Sequence, residues 1–147
     1  MSNKAIKSWI SEVSNGKSIF VASRLKKIHP LNDRIVRKLV CIDKIEYIWV
    51  GHDRIRASSE LRTEGSRKIP ITKPGHPTAI GLDLLIDIPY KTVQFYEIAS
   101  AEKGNGEIML KAVLEALDSD WKVVIVMDFS MGFWGVMAER YEKVVVM

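Results

Sequence analysis

Apolar residues at Ala5, Ile6, Trp9, Ile10 and Val13 recur at helical spacing, which predicts a helix from Lys4 to Ser14 that Asn15-Gly16 ends. The run "SIFVAS" (Ser18 to Ser23) predicts a short strand. After His29-Pro30 the spacing is helical again, with Ile35, Val36, Leu39 and Val40 as its apolar positions. Asn32 is the expected cap, and the helix should reach about Ile42. "IEYIWVGH" (Ile45 to His52) alternates as a strand whose Tyr47 and Trp49 share one face, which core packing and stacking against single-stranded RNA or DNA explain equally well. From Arg54 to Pro77 charge, Ser, Gly and Pro break every period, and a long loop with at most a short strand is expected.

Downstream the pattern is sharper. "AIGLDLLIDIP" and "TVQFYEIAS" read as strands joined by Pro89-Tyr90-Lys91, a hairpin. Period-two alternation sends Tyr96 and Glu97 to opposite faces, so at most one of them should face a cleft. Gly104 to Leu117 predicts a heavily buried helix with Ile108, Met109, Ala112, Val113 and Leu117 on one broad side, widened by Leu110 and Leu114. "WKVVIVM" (Trp121 to Met127) has the β-branched continuity of an interior parallel strand. Gly132 to Arg140 predicts a short helix and "YEKVVVM" a last strand. Such alternation implies a right-handed βαβ crossover. The expected class is α/β (α+β): a mixed, mostly antiparallel twisted sheet with a central βαβ unit, in a single domain spanning residues 1–147.

Composition narrows the setting. At 147 residues, 47% hydrophobic and 27% charged, the chain fits one domain with a real core. No apolar run approaches the roughly 20 residues of a membrane span, and the first residues lack a secretory leader's apolar block. One cysteine, Cys41, excludes an internal disulfide and suits a reducing cytoplasm. It is expected to be a buried, inert thiol on the second helix. His29, His52 and His76 fit no metal-ligand spacing, so no metal is expected. The net charge of +4 hides an asymmetry: Arg24 to Lys73 holds 13 Lys+Arg against 6 Asp+Glu, whereas Pro74 to Met147 holds 6 against 11. The basic middle meets either a polyanion or plain solvent.

The chemistry concentrates at "KGNG". A helix that starts at a strand's end leaves its first N–H groups unpartnered and carries partial positive charge there. Glycines in that turn remove Cβ atoms that would hold a ligand away, and a phosphate or diphosphate is the usual occupant. Lys103 adds a formal charge. A Walker loop would need Gly-Lys-Ser/Thr, but Glu107-Ile108 follows Gly106. A dinucleotide fingerprint would need a glycine where Met109 stands, although Asp128 could serve as its acid. The third reading is a coenzyme A diphosphate site.

"IASAEKGNGEIMLKAVLEAL" resembles the central motif of the GNAT N-acetyltransferase superfamily, in which a strand leads into an Arg/Gln-x-x-Gly-x-Gly/Ala turn and a long helix. The preceding hairpin and the following "DWKVVIVMDFSMGFWGVMAERYEKV" resemble the flanking units, so the likeness covers about Leu82 to Val146. It implies acetyl-CoA as cofactor and direct acetyl transfer to a primary amine, small or macromolecular. It also implies that Ile98, Ala99 and Ser100 pair with the pantetheine arm, that Lys103, Gly104, Asn105 and Gly106 hold the diphosphate, and that Phe133 and Trp134 contact the cofactor. The family's Arg/Gln falls on Ala101, its extra glycine on Glu102, and its proton-donating tyrosine on Trp134. Tyr141 is therefore the candidate acid, Glu97 the candidate base, and Ser130, with Asp128, a further candidate after the buried strand. The alternative is a non-catalytic protein of the same scaffold that binds nucleic acid (tRNA or DNA) or a protein partner through the basic segment 24–73, with a homodimer left open.

Overall fold

The computed structural model describes residues 3–130 and 132–147. In chain order it comprises α1 (Asn3–Val13), β1 (Ser18–Val21), α2 (Pro30–Leu39), β2 (Tyr47–Val50), β3 (Arg54–Ser58), β4 (Leu61–Glu64), β5 (Arg67–Pro70), β6 (Ile80–Asp87), β7 (Thr92–Ser100), α3 (Asn105–Ala116), β8 (Lys122–Ile125), α4 (Phe133–Arg140) and β9 (Val144–Val146).

Seven strands form one mixed sheet in the order β1-β2-β3-β6-β7-β8-β9. The central junctions β2–β3, β3–β6 and β6–β7 are antiparallel, while β1–β2, β7–β8 and β8–β9 are parallel. Each parallel pair needs a crossover, supplied by α2, α3 and α4 respectively. The expected βαβ unit β7-α3-β8 thus has two companions. β4 and β5 form a separate two-stranded sheet.

The core forms where the apolar face of the sheet meets the helices. Ile48, Val50, Ile55, Ala57, Leu82 and Leu84 are fully buried with Ile35, Val36, Leu39, Met109, Leu110 and Val113. α2 and α3 pack together over this face, and α1 is tied to α2 by Trp9 Nε1 donating to Asp33 Oδ1 at 2.8 Å.

Several expectations change. The segment 54–77 is not a loop: it holds β3, in the middle of the large sheet, and the β4–β5 hairpin. In β3, Ile55 and Ala57 point into the core while Arg54 and Arg56 point away, so its charge belongs to one face of a half-buried strand. Asn32 does not cap α2. The Nδ1 of His29 accepts the Leu31 N–H at 3.0 Å instead, and Asn32 lies buried in the first turn with Nδ2 donating to the His52 carbonyl at 3.1 Å. Cys41 is exposed just past the end of α2. Ile108 is half exposed, because the buried stripe of α3 runs through Gly106, Met109, Leu110, Ala112, Val113 and Ala116.

Candidate functional site

The β6–β7 ladder runs in register from Asp87↔Thr92 to Leu84↔Phe95, then shifts so that Asp83 faces Glu97 and Tyr96 has no partner. Tyr96 is a β-bulge residue, which bends the strand and breaks its alternation. Tyr96 and Glu97 consequently both line the same cleft, contrary to the period-two expectation.

β7 also parts from β8. Their parallel pairing covers only Thr92↔Lys122, Val93↔Val123 and Gln94↔Val124. Beyond Gln94, β7 continues to Ser100 while β8 stops at Ile125, and a cleft of about 340 Å³ lies between them. That volume is within the range of small-ligand sites. Its walls include Phe95, Glu97, Ile98 and Ser100 from β7, Met127 and Phe129 from the chain after β8, and Phe133 and Trp134 from α4.

The register fixes which main-chain groups face this gap. The Ala101 N–H donates to the Ala79 carbonyl at 3.3 Å, and the Ser59 N–H donates to the Ile80 carbonyl at 2.8 Å. Hydrogen bonds of an antiparallel ladder alternate, so Ala99 and Glu97 bond to β6. Ile98 and Ser100 direct their N–H and C=O groups the other way, toward the cleft. Two of the three residues expected to offer main-chain groups do so. Ala99 does not: it is fully buried and bonded into the ladder.

At the head of the cleft the chain turns into α3. Gly104 is the N-cap, with φ 93° and no side-chain cap, a left-handed conformation that favours glycine. A Cβ there would meet nothing within 4 Å. Gly106 differs, because a Cβ on it would come 2.9 Å from the Phe133 ring. The first glycine serves the turn; the second admits an aromatic ring from α4, and both line the cleft. The Gly106 N–H already donates to Ser100 Oγ at 3.1 Å. Asn105 lies off the cleft wall, its Nδ2 donating to the Glu102 carbonyl at 3.3 Å. The N–H groups of Lys103 and Gly104, by contrast, have no partner among the described residues.

Glu102 lies beside this corner but is occupied. Lys44 forms an ion pair with it and holds its carboxyl below the ordinary range. Lys103 lines the cleft and forms no ion pair among the described residues. The local balance at the head of α3 is therefore positive.

Phe133, Trp134 and Phe95 form a chain of edge-to-face rings, with centroids 4.9 and 5.0 Å apart, under the cleft floor. Trp134 is 2% exposed and belongs to the core as much as to the cleft. Ser130 lines the cleft, but its hydroxyl donates to Asp128 Oδ1 at 2.5 Å and accepts the Trp134 N–H at 3.1 Å, a turn-closing arrangement. Tyr141 is not brought to the cleft: its hydroxyl donates to Glu107 Oε2 at 2.5 Å. That bond raises the phenol above its ordinary value and lowers the carboxyl.

Glu97 occupies a more telling position. Its Oε1 accepts from Thr72 Oγ1 at 2.8 Å, and the residue lines both this cleft and a second cavity of about 520 Å³. The second cavity is bounded by Arg54, Arg56, Arg62, Lys73 and His76, with Asp83 at its base. Strand pairing sets Phe20, Trp49, Arg56, Asp83 and Glu97 in one row across five strands, on a single face of the sheet. Tyr47 and Trp49 are accordingly half-buried on this face and not in the core; Trp49 lies 5.7 Å beneath the Arg56 guanidinium. Buried Asp83 accepts two hydrogen bonds from Arg54, at 2.9 and 2.6 Å. Asp83, Arg54 and Arg56 carry no expectation from the sequence. The one available signal is a lone carboxylate inside the apolar run "AIGLDLLI", a position that a buried ion pair explains.

Compared with family models, curated proteins and solved structures, the chain gives no match. Among the described residues no helix is long and apolar enough to cross a membrane.

Proposed function

We infer that the cleft between β7 and β8 binds the pantetheine and diphosphate of acetyl-CoA, and that the chain is a GNAT-like N-acyltransferase. The observation that carries this reading is the separation of two parallel strands after Gln94 and Val124, with the head of α3 at the mouth of the gap. The main-chain groups of Ile98 and Ser100 are unpaired there and can take an amide-bearing arm as if it were another strand. The partnerless N–H groups of Lys103 and Gly104, with the Lys103 ammonium, suit a diphosphate. Glu102 is drawn off by Lys44, which removes the repulsion its position would otherwise create.

Acetyl-CoA, when bound, supplies an acyl group activated by its thioester. The chain's own contribution centres on Glu97. Its carboxylate stands where the two cavities meet and can accept the proton an amine loses on attack. Thr72 orients it by donating to Oε1. Trp134 fills the position of the family's proton-donating tyrosine, and Tyr141 is engaged with Glu107, so neither side chain would supply the proton that a leaving thiolate needs, and solvent would have to.

Thermal unfolding in the presence of acetyl-CoA tests this. Millimolar acetyl-CoA should raise the melting temperature by mass action, and Lys103→Glu should reduce that rise. Glu97→Gln should keep the rise yet lower thiol release with an accepted amine by about 10²–10⁴-fold. Absence of any stabilisation by millimolar acetyl-CoA would remove the reading.

A second reading is a non-catalytic scaffold that binds nucleic acid or a protein through segment 24–73. Buried Trp134 in the tyrosine position and the engaged Tyr141 favour it. Its signature would be binding to an oligonucleotide that falls steeply with salt.

A further inference from the structure

We propose that the cavity on the far side of Glu97 is an anion-binding acceptor site, and that the acceptor is a small amine carrying a carboxylate or phosphate near its amino group. This rests on the acyl-transfer reading for the word acceptor; the anion site itself stands on the geometry of β3, β5 and β7.

The cations of this cavity are not equally compensated. Arg54 is held by Asp83 through two hydrogen bonds, and Arg62 by Glu64 at 2.5 Å. Arg56 is different. Its Nε is buried without a hydrogen-bond partner and lies 3.5 Å from Asp83 Oδ2, within ion-pair range only. A guanidinium side chain only 20% exposed and lacking a partner at Nε is costly to keep charged. Burial, and then the neighbouring Arg54, Arg62 and Arg67, push it below its ordinary value against the pull of Asp83. Lys73 lines the same cavity and forms no ion pair among the described residues. A bound anion would accept from the terminal N–H groups of Arg56, which have no hydrogen-bond partner among the described residues, neutralise the excess positive charge and engage Lys73. The two terminal N–H groups of a guanidinium can grip a carboxylate or phosphate with two parallel bonds.

The row across the sheet sets the size of the ligand. Arg56 and Glu97 stand two strands apart with Asp83 between them, about 10 Å at the usual strand spacing. Both residues line the same cavity. An anion on Arg56 and an amine at Glu97 are thus separated by only a few bonds in the ligand. A polyamine would meet four cations, and a nucleic acid would have to thread a cavity of about 520 Å³.

The test uses the full chain, with phosphoethanolamine and glutamate as anionic amines and spermidine as the cationic control. Binding is followed through the arginine Nε–H resonances of ¹⁵N-labelled protein, and acetyl-CoA binding separately by thermal shift. The expected result is a shift of the Arg56 Nε–H resonance by at least one anionic amine and none by spermidine. Lys73→Gln should weaken that binding about tenfold, and Arg56→Lys more, with the acetyl-CoA shift retained in both. The lysine variant lies on the surface, so it stays informative if Arg56→Lys unfolds the chain. Anion binding without any acetyl-CoA binding would support the site and sink the transferase reading. Equal binding of spermidine, unaltered anion affinity in Lys73→Gln, or binding of a single-stranded oligonucleotide in place of both small anions would overturn the proposal.

Discussion

Asp83 and Glu97 stand directly opposite each other on β6 and β7, two carboxylates in register on one face of the sheet. Like charges so placed repel. The pair is tolerated because Arg54 and Arg56 stand on the other side of Asp83, and Arg54 donates two hydrogen bonds to it. The arrangement leaves Glu97 with Thr72 alone as a hydrogen-bond donor among the described residues.

Asp83→Asn should therefore destabilise the protein by about 2 kcal/mol. That is less than the roughly 3–5 kcal/mol for breaking a fully buried pair, because Arg54 is partly solvated. Urea unfolding of the two proteins measures it, and an unchanged midpoint would show that the arginines find other partners.

Gly106→Val should cost about 1–3 kcal/mol through overpacking, because its Cβ would meet the Phe133 ring at 2.9 Å. Denaturant titration of this variant, read with near-ultraviolet circular dichroism for the displaced rings, checks it. A stability equal to the parent would mean that Phe133 rotates away freely.

Trp134→Ala removes the middle ring of the Phe133–Trp134–Phe95 cluster, which is 2% exposed. A loss of about 3–5 kcal/mol is expected for such a truncation. Chemical denaturation would reveal it, and a loss below about 1 kcal/mol would contradict the packing described.

Tyr141→Phe should give a pH-dependent deficit. The Tyr141 hydroxyl is the first cause holding Glu107 below its ordinary value of 4.5, so that part of the stabilisation is present above this pH and lost as pH falls through the depressed folded value. The same bond raises Tyr141 above 10.0, so its contribution is present below that pH and lost as pH rises through the raised folded value. The melting-temperature difference between parent and variant should be greatest across the neutral range and shrink at both extremes. A difference that stays flat from acid to alkali would dismiss the bond.

The split ladder makes a residue-level prediction for amide hydrogen exchange. Amides of Glu97 and Ala99, bonded to β6, should be protected; those of Ile98 and Ser100 should exchange far faster. Equal protection along 97–100 would mean that β7 and β8 remain paired beyond Gln94.

The second half of the fold was readable because its signals are local. Glycines before a run of helix formers mark α3, and the β-branched continuity of "WKVVIVM" marks β8. The first half hid β3 to β5 because Arg54 and Arg56 alternate with only two small apolar positions, Ile55 and Ala57, and the charge obscured the period. A signal was nonetheless present: Gly65-Ser66 joins "LRTE" to "RKIP" as a two-residue hairpin loop, with Gly65 at φ 63° and Glu64 paired to Arg67. The bulge at Tyr96 was out of reach, since it is a property of how two strands pair and not of either strand alone. Lys103 and Gly104 followed from the glycine turn, whereas Ile98 and Ser100 followed only from the family resemblance. The row from Phe20 to Glu97 joins five strands, and no local pattern announces it.

The early parting of β7 from β8 has a kinetic implication. Because folding itself leaves this wedge ajar, an entering molecule has nothing to pry apart. Capture should follow a single concentration-proportional phase in stopped flow, without the plateau that a slow opening step would impose.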